Sequence, residues 1–452
     1  VAQNGGSISG GDVDFSAFSN TENTDGVSAT GGNVLIHAND GFIALAGILN
    51  VNASALAGTN NPSTLVATNA QGGSIRILLE GTSSASSSMS FSDIDFNSDG
   101  SILAGAELTG PFEGDGGTGV GGSIIFDLLG GTFTAGDIAV SAGGAGGSGG
   151  TEVTLPPAIS VAPFASAFAA PMDLTVVNAA MAGGVSAGDG GDGQGGNVTF
   201  NLNGGNATVT NLTISANAFG GDGAYGDITS GTAGGSGGRG IGGSATFNAI
   251  SGNLTVTNTL TVSAEANNPA LAPYGANAAG GFGSGSDGGN GGAGLGGTAI
   301  FNMVGTATID AQTVQISTSA TGGDGGSTGD RFDSVAGVTI IGGPAGSGGD
   351  ASGGDALLSD TSGTLTFGSA NIESLGDGGN GGDNFGGGTG NADSAGGNGG
   401  IGRGGSATID LNQDDPTSRV VTADASATGG LGGYGLTGGN GGDAYGGVAV
   451  IN

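Results

Sequence analysis

The 452-residue chain has no cysteine, no tryptophan and no lysine, one histidine and five arginines. Without cysteine there are no disulfides, thiolate nucleophiles or thiolate metal sites. Without lysine there is neither Schiff-base chemistry nor a P-loop. One histidine, His37, cannot build a multi-histidine metal centre. Positive charge is scarce against 38 acidic residues, and the formal net charge is −33. A polyanion repels phosphate, which excludes nucleic acid and an anionic membrane surface as partners. Long apolar runs are missing too. The longest glycine-poor stretch, residues 151–182, carries Pro156, Pro157, Pro163 and Pro171 and makes no membrane helix.

What is abundant is glycine, at 109 residues. A Gly-Gly pair followed by a five-residue alternating run recurs at Gly31, Gly72, Gly121, Gly195, Gly242, Gly296, Gly353, Gly404 and Gly446. Clear examples are NVTFN at 197–201, SATFN at 244–248 and TAIFN at 298–302. The second and fourth residues of each run are apolar in every copy, so each reads as a strand with one buried face. Two further alternating strands follow, as in NLTVT at 253–257 and TLTVSA at 259–264. Three short strands joined by bends describe one coil of a parallel β-solenoid, with a shared apolar column inside. The fold class expected is all-β, one continuous repeat domain over residues 1–452.

A Gly-rich tract, such as 188–196 or 376–405, separates each block from the next. Two readings stand side by side. The tracts are flexible corner loops, or they are extended polyglycine-II-like arms bonded to one another. Spacing between Gly-Gly marks runs from 41 to 74 residues, and the variation lies outside the strands. The largest excursion is the Pro-bearing insertion 151–182, with Phe164, Phe168 and Met172; a second, at 267–274, ends on Tyr274. These four residues are candidates for a lateral interaction surface, against the alternative that they cover a flank of the solenoid. The start at Val1 reads as a processed chain or an excerpt, and 448–452 read as the opening strand of another repeat.

The three Thr/Asn-rich strands with a GGxGG tract resemble the glycine-rich repeats of large secreted bacterial surface proteins, the filamentous-haemagglutinin-like adhesins and autotransporter passenger domains. The resemblance spans roughly 31–452 and rests on pattern and composition. It implies a right-handed parallel β-helix at the bacterial cell surface, acting in adhesion, aggregation or matrix formation.

Calcium is the first ligand to consider. Residues 378–385 (GGNGGDNF) and 438–445 (GGNGGDAY) each fit one calcium-roll nonapeptide and single out Asp383 and Asp443. Both copies are isolated, whereas the motif works in tandem. The residue closing each five-residue run is mostly Asn or Asp: Asp127, Asn201, Asn248, Asn302, Asp410, Asn452 and once His37. Stacked coils align these side chains in a structural column. Thr255, Thr257, Thr259 and Thr261 raise an ice-binding face, weakened because other repeats lack them. No paired base and nucleophile stands out, and the chain reads as not an enzyme. The expected role is structural: a subunit or segment of an extracellular filament, sheath or matrix fibre that self-associates or continues into further repeats. A ligand-binding adhesin segment is the alternative. No cofactor is required, calcium apart.

Overall fold

In the computed structural model, residues 1–21, 27–57, 68–81, 87–102, 115–149, 187–226, 233–266, 283–284, 287–329, 331–333, 338–340, 342–385, 395–411 and 420–452 are described. Among them every regular element is a β-strand, and no helix is long and apolar enough to cross a membrane. Pairing between strands is parallel except in one antiparallel pair, Arg331–Asp333 with Val338–Ile340.

Each repeat lies beside the next with like positions matched. Ser123–Leu128 pairs with the start of Asn197–Val209, which pairs with the start of Ser244–Ser263, then Thr298–Met303, Asp355–Asp360, Ser406–Leu411 and Val448–Ile451. Residue by residue, Phe126 meets Phe200, Phe200 meets Phe247 and Phe247 meets Phe301. The register extends backwards past the first Gly-Gly mark: Ala2–Gln3, Ser7–Gly10 and Val13–Ser16 pair with the repeat that follows them. Period-two alternation sends the apolar side chains inward in three successive rows of this 22-stranded sheet. One core cluster runs from Ala2 to Ala425. The four phenylalanine rings stack within it at centroid spacings of 4.8, 5.3 and 4.8 Å. Offset stacking adds about 0.5–1.5 kcal/mol per pair beyond burial.

Five rows are present, where three strands per repeat were expected. The fourth row is a five-stranded sheet of strands such as Gly144–Ala145 and Ala218–Phe219, continued by a three-stranded sheet through the Ala266–Ala320 bridge. The fifth is a nine-stranded sheet of two-residue strands immediately before each Gly-Gly mark, such as Gly193–Gln194 and Gly240–Ile241. These two rows pack on each other through Ala29, Ala55, Ala57, Ala70 and Ile102 at one end and Ala266, Ala320 and Ala351 further along.

The Gly-Gly mark is the seam that closes each repeat. Its second glycine donates across the section to the carbonyl that ends the third row of the preceding repeat: Gly196 to Ala142, Gly243 to Ala216 and Gly297 to Ala264, each at 2.7 Å. The first glycine of the mark presses on the corresponding carbonyl of its own repeat. A methyl at Gly195 would overlap the oxygen of Ala216.

The closing polar column forms as expected. Asn248 Nδ2 donates to Asn201 Oδ1 (3.1 Å), and Asn201 Nδ2 donates to Asp127 Oδ1 (2.8 Å). Arg76 completes the chain with an ion pair to Asp127 Oδ2 at 2.8 Å. His37 stands in this column and meets Glu80 at 2.9 Å. The threonine rows are interrupted: Thr208 and Thr255 are followed in register by Asp310.

Candidate functional site

Two regions outside the core concentrate polar chemistry. The first is the set of glycine tracts, which hold both residues singled out for calcium. Their backbone bonds repeat every three residues. Gly322, Gly325 and Thr328 donate to the carbonyls of Asp377, Asn380 and Asp383, one repeat later, at 2.7–2.8 Å. The neighbouring glycines bond to the returning tract instead, Gly323 to Gly292 and Gly326 to Gly289. In several triplets the third amide is taken by a side chain of the preceding repeat. Asn380 N–H donates to Asp324 Oδ1 (2.7 Å), Leu431 N–H to Asn380 Oδ1 (2.9 Å) and Tyr434 N–H to Asp383 Oδ1 (2.8 Å). The same capping recurs from Ser236 to Asp189 and from Ile401 to Asp350. All three amides of such a triplet thus find a partner, as a backbone without side-chain cover requires.

Asp383 therefore serves as a backbone cap for Tyr434. Asp443 accepts from the phenol of Tyr445 at 3.1 Å, and its carbonyl accepts from Gly402. The two carboxylates lie on outgoing and returning tracts and are not brought together. Among the described residues, no three His, Cys, Asp or Glu side chains converge to hold a metal ion. Phe164, Phe168, Met172 and Tyr274 lie outside the described residues.

The second region is a groove on the outer face of the third row, a cavity of about 700 Å³. Register builds its floor as a grid. Thr213, Thr261, Gln315 and Asn371 are successive partners along one line, and Ser215, Ser263, Ser317 and Glu373 along the next. Asn217 and Glu265 form the wall two residues on, where Asn217 Oδ1 accepts the Glu265 amide at 2.7 Å. Alternation points Ser263 away from the core, yet it is only 7 % exposed, so the surface here is concave. Burial raises the Glu265 carboxyl above its ordinary range; a hydrogen bond from Ser317 opposes this, and the nearby Glu373 adds to it. Glu373 Oε1 itself accepts from Asn371 Nδ2 at 2.6 Å.

Two repeats before Thr213, the same face carries a second carboxylate pair. Asp95 is in line with Ala139 and then Thr213. Burial raises Asp99, against hydrogen bonds from the Gly143 amide, Ser141 and Asn97, and Asp95 raises it further. Burial alone raises Asp95. Sequence reasoning missed this face. Its members come from several repeats, each 48–56 residues from the next, and hydroxyls on an outward strand face carry no signal of their own.

Compared with known proteins, the chain matches no family model, no curated protein and no solved structure.

Proposed function

We propose that the chain is a right-handed parallel β-solenoid with polyglycine-II-like arms, and that it is a structural segment of an extracellular, bacterial cell-surface filament, sheath or matrix. The observation that carries this reading is the like-with-like register that runs from Ala2 to Ile451. A stack of this kind templates its own continuation, because its terminal strands expose unpaired backbone groups. At one end Val1, Ile8, Phe15 and Leu35 line an apolar cavity of about 130 Å³ that opens onto the core residues Ile36 and Ile43. At the other, Val448 and Ile451 are half exposed, at 59 % and 52 %. The occupant that fits both ends is another coil of the same repeat, joined by end-to-end β-stacking. The test is negative-stain electron microscopy of the chain beside an Ile8→Asp, Ile451→Asp variant, both at inward positions of the terminal coils. Rods that lengthen with concentration, and stay short in the variant, support the reading. Globular particles overturn the solenoid, and equal lengths in both proteins overturn the stacking.

An adhesin segment is a second reading. It draws on the arms, where Phe385, Leu431 and Tyr434 project large apolar surface into solvent at 68 %, 74 % and 81 % exposure. Binding to a host or cell surface that is lost in Leu431→Ser, Tyr434→Ser while rods persist favours it.

A further inference from the structure

The groove on the third row has no part in stacking, because its residues lie on the outer face along the length of the sheet. Apart from Ile316 its lining side chains carry polar groups: Thr213, Ser215, Thr261, Ser263, Gln315 and Ser317 floor it, with Asn217, Glu265, Asn371 and Glu373 around them. No arginine lines it, so nothing in it offsets an anionic ligand against Glu265 and Glu373. An apolar ligand would strip water from these hydroxyls and amides without replacing their hydrogen bonds, at a cost of about 1–3 kcal/mol per buried group. The volume of about 700 Å³ lies inside the range of small-ligand sites.

One side chain argues for an occupant independently of the carboxylates. Ser263 is more than nine-tenths buried and lines the groove, and its hydroxyl has no hydrogen-bond partner among the described residues. Buried hydroxyls are ordinarily paired, so a group in the groove would complete this one. Around it one line runs Thr213, Thr261, Gln315, Asn371 and the next Ser215, Ser263, Ser317, Glu373, so hydroxyls give way along the axis to amides and a carboxylate. They are spaced by strand separation along the axis, about 4.8 Å, and by two residues, about 6.6 Å, along the chain. A ligand matching such a grid carries many neutral hydroxyls at short intervals.

We infer that this groove binds a neutral oligosaccharide, laid across the repeats with its hydroxyls on the Thr261–Ser263–Gln315–Ser317 floor and its edge against Glu265 and Glu373. The carboxylates accept from sugar hydroxyls, charge-assisted bonds that are stronger than neutral ones. The inference does not depend on end-to-end assembly, and the adhesin reading gains a ligand class from it.

The test uses the full chain on an array of neutral oligosaccharides (cello-, malto-, laminari- and chito-hexaose), followed by titration calorimetry of any sugar retained. Ser263→Ala and Gln315→Ala are the groove variants and Tyr434→Ser is the control on the arms. The expected result is binding that falls about five- to tenfold in each groove variant, from one hydrogen bond lost, and is unchanged in the control. Ser263→Ala removes an unpaired buried hydroxyl, so its melting temperature stays level or rises, which separates lost binding from lost folding. Three results overturn the proposal: no sugar retained, binding that survives both groove variants, or binding abolished by Tyr434→Ser alone. Calcium chloride is titrated separately. Calcium bound without any sugar, and lost in Glu265→Gln, makes the groove a cation site and also overturns it.

Discussion

At the scale of single residues, glycine in the arms is a steric requirement. A methyl at Gly379 would overlap the carbonyl oxygen of Gly323, and one at Gly397 that of Gly346. Both obstacles are backbone, which cannot swing aside. Gly379→Ala and Gly397→Ala are expected to lower the melting temperature by several degrees, as a strain of about 1–3 kcal/mol would. Gly446→Ala is the control, since nothing lies within 4 Å of its added carbon. It is expected to leave the melting curve in place. The acids on the groove face set a pH dependence. Burial raises Asp99 in the folded chain, so the native state binds its proton more readily than the unfolded state. Stability from this group is therefore smallest at neutral pH. It grows as pH falls through the folded value and is complete below the unfolded one. Glu265 acts in the same direction. Denaturant midpoints measured from pH 7 to pH 4 should rise for the parent and rise less for Asp99→Asn. A parallel rise in both would discard this assignment.

At the scale of elements, the first-row strands were the most legible part. Val198 and Phe200, or Ala245 and Phe247, carry the alternation, and the Gly-Gly mark announces them. The fourth and fifth rows were not legible. Gly144–Ala145 or Gly240–Ile241 is too short to show a period, and each opens on glycine, a poor strand former. The opening repeat has no legible first-row strand, because Ala2–Gln3 is too short to alternate and its Gly5-Gly6 pair precedes a second-row strand, Ser7–Gly10. The aspartates of GGNGGD are candidates for calcium on sequence because triplet spacing suits both a calcium motif and a backbone lattice. Asp443 meets the nearby phenol of Tyr445, whereas Asp383 meets the Tyr434 amide one repeat later, a distance in sequence that no local pattern encodes. The groove stayed hidden for the same reason. Two experiments test the elements. Hydrogen exchange should find the amides of Gly379, Gly382, Gly397 and Gly400 as protected as those of the core strands; exchange at unstructured rates would return the arms to flexible loops. Phe247→Ala, in the middle of the ring stack, should cost about 3–5 kcal/mol in equilibrium unfolding, and a loss below about 1 kcal/mol would show that the stack contributes little.

At the scale of the whole molecule, two kinds of interior run side by side. One is the apolar core of the first three rows. The other is the arm lattice, a packed interior with almost no side chains, in which amides meet carbonyls at 2.7–3.0 Å. The two respond differently to temperature. Exposing apolar surface raises the heat capacity on unfolding, and exposing polar backbone lowers it. A chain with 109 glycines, many in that lattice, should unfold with a heat-capacity change per residue below the usual ~12–15 cal/mol/K. Scanning calorimetry reads this directly, and an ordinary value would mean that the arms are already hydrated in the folded state. A small heat-capacity change flattens the stability curve. Apolar cores lose their driving force as water cools, whereas the backbone lattice does not rely on that force. The protein should therefore keep its strength over a wide span of temperature and resist cold denaturation better than a side-chain core of equal size.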